Sequence, residues 1–326
     1  MFLLLTFSLS FYGSIELAKE RDISFIDYPV QCLVVNNDGD CYLIGYWHSK
    51  VTKVSAEGKF LYQIQGRFGQ GPGEFGKPTN ALIMNHGQTL LIIDSHGKMV
   101  LFNEKTGEFI KTVSKRDPAN LFLKYDETHF LLMFNINPSD HLFKILNLDG
   151  EMVHSWFPQK IYDDLYKKDV WTRRYAACLG PDKELYFQEG SYPEILLFEK
   201  DKDFFKTIKL KWPKYYREPP EKAFNPKHRF NKKKIQEYFN SYTQLKNFFY
   251  ISDKYILIVW YIYKPYEISM DLYNIKDNQL LIKDFVPKGE IVTVHSNSIY
   301  VLEEVEDDEL DSDSDLILRT YLLKEK

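Results

Sequence analysis

His48, Asp94 and His96 are the residues of this chain whose types best suit chemistry, each lying at or just beyond the end of an alternating apolar run. Neutral imidazole and carboxylate are common ligands of a divalent cation, and the same groups serve as general acids and bases. Asp311-x-Asp313-x-Asp315 adds the alternating oxygen donors with which a calcium loop begins, but without that loop's glycine and closing glutamate. A divalent cation on Asp94, His96, Asp311, Asp313 or Asp315 is therefore the one cofactor to consider. The plainer reading is that Asp94 accepts hydrogen bonds from loop amides, the histidines sit in turns, and the acidic run is a solvated loop.

Gly71-Pro72-Gly73-Glu74-Phe75-Gly76 matches the spacing of a dinucleotide-binding loop. Its context does not: Pro78 and a strand-like run follow where a helix N-terminus would have to receive the pyrophosphate. Gly69, Gly71, Pro72, Gly73, Glu74, Phe75 and Pro78 read instead as a rigid crossing, glycine allowing positive φ and proline restricting its own. Residues 211–234 gather lysines and arginines around Trp212, Tyr215 and Tyr216. Aromatics among basic residues can stack on bases or sugars, yet a net charge of -4 is not the footprint of a nucleic-acid-binding protein. No nucleic-acid partner is expected. Serine-hydrolase elbows, His-Glu-x-x-His and phosphate loops are absent from the sequence.

The elements that must carry these residues are strands. The 326 residues are 44% hydrophobic and 16% aromatic, with 24 Phe and 23 Tyr, a composition that suits pleated, half-buried surfaces. Cys32, Cys41 and Cys178 are too few and too scattered for a disulfide framework. A hairpin at Asn37-Asp38-Gly39 would set Cys41 opposite Val35 and Cys32 opposite Ile44, away from each other.

Short strands recur in groups: Val30 to Gln65, Asn80 to Val113, Leu121 to Trp156, Tyr175 to Leu210 and Leu245 to Phe285, then a shorter group from Glu290 to Leu323. Tyr46-Trp47-His48-Ser49-Lys50-Val51 aligns with Asp94-Ser95-His96-Gly97-Lys98-Met99, so the first two groups are copies in register. Repeats of about 40–50 residues with four strands each are the mark of propeller blades. The expectation is an all-β, six-bladed β-propeller whose last blade is closed by an N-terminal strand at Ile23 to Tyr28. That closure removes an exposed sheet edge. One domain over residues 15–326 is expected, with an insertion at 213–242 that turns helical from Lys232 to Asn240.

The segment from Gly69 to Phe75 with Pro78, then Leu91-Ile92-Ile93-Asp94 and Gly97-Lys98, resembles the NHL-type repeat of six-bladed β-propellers. It is similar in particular to bacterial six-bladed propellers, many of them exported. The resemblance implies fold rather than activity. Propellers of similar look include lactone hydrolases and amidating lyases with metals in the channel, whose ligand pattern has no residue-by-residue match here.

The run from Phe2 to Tyr12 before Gly13-Ser14 reads as the apolar core of a secretory signal, without a basic start; a buried strand is the alternative. It is too short to span a bilayer, so the expected place is the periplasm or cell envelope, or the cytoplasm if residues 1–14 are not a signal. In a four-stranded meander, the loop between second and third strands and the crossover to the next blade emerge on one face. That face would hold His48, His96, the glycine-rich crossover, the basic insertion and the acidic run from Glu303 to Asp315. The two charged segments are expected within about 20 Å of each other, two Debye lengths. The leading function is a non-catalytic binding or scaffold propeller recognising a protein, peptide or glycan, with Trp47, His48, Asp94, His96, Tyr215 and Tyr216 on its binding face. The alternative is a hydrolase or lyase using the channel and a divalent metal. Stoichiometric metal lost on Asp94→Asn would mark the second class.

Overall fold

The computed structural model describes residues 15–26, 30, 32–67, 71–114, 119, 121–133, 141–158, 175–189, 194–199, 205–210, 217, 231–239, 241–252, 254–262, 267–277, 279–287, 289, 291–305 and 315–325. The leader-like residues 1–14, Gly69, Tyr215, Tyr216, Asp311 and Asp313 lie outside the described residues.

Six four-stranded antiparallel sheets make up the molecule. The first is β2 (Cys32–Val35), β3 (Cys41–Gly45), β4 (Lys50–Val54) and β5 (Phe60–Gln65). The second is β6 (Pro78–Met84), β7 (Thr89–Asp94), β8 (Met99–Asn103) and β9 (Phe109–Ser114). The third is β10 (Leu121–Lys124), β11 (His129–Met133), β12 (His141–Asn147) and β13 (Met152–Pro158). The fourth is β14 (Tyr175–Leu179), β15 (Leu185–Glu189), β16 (Glu194–Phe198) and β17 (Phe205–Lys209). The fifth is β18 (Gln244–Ile251), β19 (Tyr255–Ile262), β20 (Glu267–Asn274) and β21 (Gln279–Phe285). In the sixth, β22 (Ile291–His295), β23 (Ser298–Val305) and β24 (Asp315–Glu325) are joined by β1 (Ile15–Ile26). The first strands touch in the cyclic order β2, β6, β10, β14, β18, β22 and back to β2, so the sheets are the blades of a six-bladed propeller.

Each core cluster of buried side chains lies between two neighbouring blades. Along β7, Leu90 and Ile92 pack with Tyr42 and Ile44 of the first blade, while Leu91 and Ile93 pack with Phe130 and Leu132 of the third. All six residues of β7 are buried. A middle strand of a propeller is covered on both faces, which is why such strands read as apolar runs rather than as alternation. Outer strands lack that demand, and those of the first three blades open on exposed pairs: Phe60-Leu61, Phe109-Ile110 and Met152-Val153.

β1 pairs antiparallel with β24, from Ile15 opposite Glu325 to Ile26 opposite Asp315. The sequence reading placed this strand at Ile23 to Tyr28, eight residues later in its start than the observed Ile15. The charged stretch Glu16 to Asp22 hid it, because an outermost strand carries little apolar signal. The hairpin after β2 pairs Cys32 with Ile44 and Val35 with Cys41, and all three cysteines are free thiols. The aligned turn residues Ser49 and Gly97 both have positive φ, 50° and 79°. Helix α1 covers Lys232–Phe239, with the Asn231 side chain accepting from the Lys234 amide at its start. No helix among the described residues is long and apolar enough to cross a membrane.

Candidate functional sites at the two mouths of the ring

In each blade the turn between second and third strands and the crossover to the next blade leave by one face, here the crossover face. The turn between first and second strands leaves by the other, the hairpin face. Backbone bonds from Ser95 N–H to Lys77 O (2.8 Å) and from Gly66 N–H to Ser49 O (2.6 Å) tie crossover to turn on the first of these faces.

On the crossover face the glycine-rich segment is a clamp. Glu74 accepts from the Gly71 amide through Oε2 (2.8 Å), and buried Lys98 donates from Nζ to Gly71 O (3.1 Å). Gly73 has φ 72°, and Phe75 is driven into the seam between the first two blades, where it meets Phe102 edge-on at 5.9 Å. A Cβ on Gly66 would come within 2.6 Å of the Phe75 ring and 2.7 Å of Ser49 O. After Gly76 the chain enters β6 at Pro78, so no helix N-terminus follows the glycines.

Asp94 is buried, and both carboxylate oxygens face backbone amides. Oδ1 accepts from His96 N–H (2.8 Å) and Lys98 N–H (3.0 Å), and Oδ2 accepts from Gly76 N–H (2.9 Å). Asn36 and Asn147 accept from the amides two and four residues on in the same way. Asp94 is thus one of a series of Asx turns, distinguished by a second oxygen that also fastens the crossover. His48 and His96 are exposed in the adjacent turns. Among the described residues, no three or more His, Cys, Asp or Glu side chains cluster so as to hold a metal ion. Asp315 begins β24, opposite Val305 and Ile26. Glu303, at the base of the acidic run, is bound by Arg319 of its own blade, whose Nε donates at 2.9 Å.

Trp47 stands on this face with 63% of its surface exposed. Tyr46 meets it edge-on at 4.9 Å, and Lys77 places its ammonium 4.4 Å from the Trp47 ring centre and 5.1 Å from that of Tyr46. A cation over an indole face within about 6 Å is attracted by the ring quadrupole. The indole is therefore oriented although little covers it.

The hairpin face holds what sequence reasoning missed. A cavity of about 300 Å³ opens where four first strands end. Its rim is Asn36, Asn37, His86, Lys124, Glu127 and His295, and Val34, Leu82 and Ile83 lie deeper along the strands. Glu127 accepts from Lys124 Nζ (2.7 Å) through Oε1 and from the His86 amide (2.6 Å) through Oε2. Burial works to raise the Glu127 pKa, but the bonds from Lys124 and His86 outweigh it and hold it below the ordinary value. His295 is held below the ordinary histidine value, first by burial and then by the Lys124 charge. Nothing in the linear spacing of 36, 86, 124 and 295 announces this convergence; only the repeat register, which sets the end of each first strand, points toward it.

Beside it, buried Glu104 receives Nδ2 of Asn36 (2.9 Å), Nζ of Lys53 (2.7 Å) and the Tyr42 hydroxyl, tying the second blade to the first. Asp40 adds a second carboxylate 3.1 Å from Lys53.

Comparison with known proteins accords with the ring. A family model described as a 6-bladed beta-propeller, DUF5128, matches residues 34–161. A DUF4221 family member from Bacteroides vulgatus superposes with TM-score 0.68 at 15% identity, covering 96% of this chain and 99% of its own. A Bacteroides fragilis protein, named as a candidate exported protein, gives TM-score 0.58 at 14% identity over 96% of each chain. The WD40 repeats of RRP9 give 0.56 at 11% identity, over 96% of this chain and 99% of theirs. At such identities the likeness is one of fold. A search of curated proteins finds no match.

Proposed function

We propose that this chain is a non-catalytic binding or scaffold propeller of the cell envelope that recognises a protein, peptide or glycan through its crossover face. The observation that carries the reading is Trp47, exposed yet oriented by Tyr46 and Lys77 on a rigid blade turn. An exposed aromatic held in one orientation contributes contact area at little entropic cost when a partner covers it. His48 borders it in sequence and His96 holds the equivalent turn of the next blade, and Tyr215 and Tyr216 remain contact candidates from the sequence alone. An envelope location is supported by the apolar run near the N-terminus and accords with the name of the Bacteroides fragilis neighbour.

The test is binding to peptide and glycan arrays by the full chain and by Trp47→Ala. The reading expects a ligand whose binding falls at least about tenfold in the variant, with an unchanged melting temperature. Equal binding by both proteins would overturn the crossover face as the recognition surface.

A further inference from the structure

We propose that the hairpin-face cavity is a second, independent binding site, for a small organic carboxylate whose anionic end sits between Lys124 and His295 and whose apolar body rests toward Val34, Leu82 and Ile83. The size fits: about 300 Å³ is the lower end of the range for sites that enclose a small molecule. Four blades contribute to its rim, so it is a feature of the closed ring and not of one hairpin.

The charges select the ligand. Among the described residues, Lys124 is the one lysine or arginine lining the cavity, and His295 feels its charge. Glu127 is committed on both oxygens, and its Oε2 bond to the His86 amide keeps it in place if Lys124 swings toward a new partner. The Lys124–Glu127 pair is about one-third exposed at each end, 36% and 35%, so solvent screens it and a second anion competes on modest terms. A cation entering here would meet an ammonium with no uncommitted carboxylate. The half-buried Val34, Leu82 and Ile83 favour an anion that carries apolar surface over an inorganic one. His295 supplies an N–H in its neutral form, and a bound carboxylate would stabilise its protonated form.

The experiment is a titration of the histidine ring signals by NMR, on the full chain, with phenylacetate, acetate and inorganic phosphate as separate probes. Phenylacetate is expected to raise the His295 pKa and to bind at least about tenfold tighter than acetate. Lys124→Met should abolish the response, and His295→Gln should weaken binding while removing the assigned signal; at exposed or half-buried positions neither change should alter folding. Phosphate binding as tightly as phenylacetate would overturn the apolar half of the proposal. An equal response in wild type and Lys124→Met, or no shift at saturating phenylacetate, would overturn the site. Trp47→Ala should bind phenylacetate as wild type does, which keeps this outcome separate from that of the crossover face.

Discussion

Two buried carboxylates, Glu104 in the seam between the first and second blades and Asp271 in the fifth blade, are held in opposite ways. Glu104 is 4% exposed and Asp271 0%. For Glu104, burial works to raise the pKa, but the bonds from Lys53, Tyr42 and Asn36 more than offset it, and the carboxyl lies below the ordinary value. For Asp271, Oδ2 accepts from the Trp260 indole (3.1 Å) and Oδ1 from the Asp284 amide (2.8 Å), and the Lys283 charge acts on it through space without a bond among the described residues. Burial then dominates, with the Asp284 charge adding to it, and the pKa rises to about 6. Two neutral donors satisfy the geometry of a carboxylate but do not repay its lost hydration; a buried ammonium with further donors does.

The sharpest way to break this contrast is Lys53→Met, which leaves Glu104 and Asp40 without their shared cation. Urea unfolding at pH 7 should show a loss of about 3–5 kcal/mol.

The pH profiles should also diverge. The folded-state value of Asp271 lies above the unfolded one, so stability increases as pH falls from about 6 toward about 4, on the order of 2–3 kcal/mol. Asp271→Asn should remove that rise. The folded-state value of Glu104 lies below its unfolded one, so its contribution is present above about pH 4.3 and is lost as pH falls further. A profile for Asp271→Asn that matches wild type between about pH 4 and 6 would remove the basis of the comparison.

Asp94 sharpens it at smaller scale, because its partners are backbone amides alone among those described above. Asparagine supplies one acceptor oxygen where two are used, so Asp94→Asn should cost about 1–2 kcal/mol, measured by urea unfolding. Trp47→Ala, outside both seams, should change stability by less than about 0.5 kcal/mol in the same measurement.

The blades were legible because each must bury the same kind of surface. Turn residues such as Asn36 to Gly39 and Asn147 to Gly150 recur with the same Asx pattern, and the apolar runs between them repeat at blade spacing. The glycine-rich crossover was legible for a local reason: Gly73 needs a positive φ, and Gly66 leaves room for Phe75. The Glu104 cluster was not, because Lys53 and Glu104 are ordinary surface types 51 residues apart, and burial of a charge leaves no mark in composition. The hairpin-face cavity left no mark for the same reason: Asn36, His86, Lys124 and His295 are common surface types, scattered along the chain.

Apart from the start of β1, local sequence by itself determined the strands, their turns, the repeat and hence six blades, because hydrophobic period and turn chemistry act over a few residues. Tertiary structure alone decided which polar residues meet at the mouths and seams of the ring. Asn36, His86, Lys124 and His295 become neighbours only when four blades stand side by side. Lys53 reaches Glu104, beyond its own-blade partner Asp40, only when the second blade closes over the first. Such contacts depend on the packing of whole sheets, whose energetics are nonlocal and leave each residue free to look like any other in the chain.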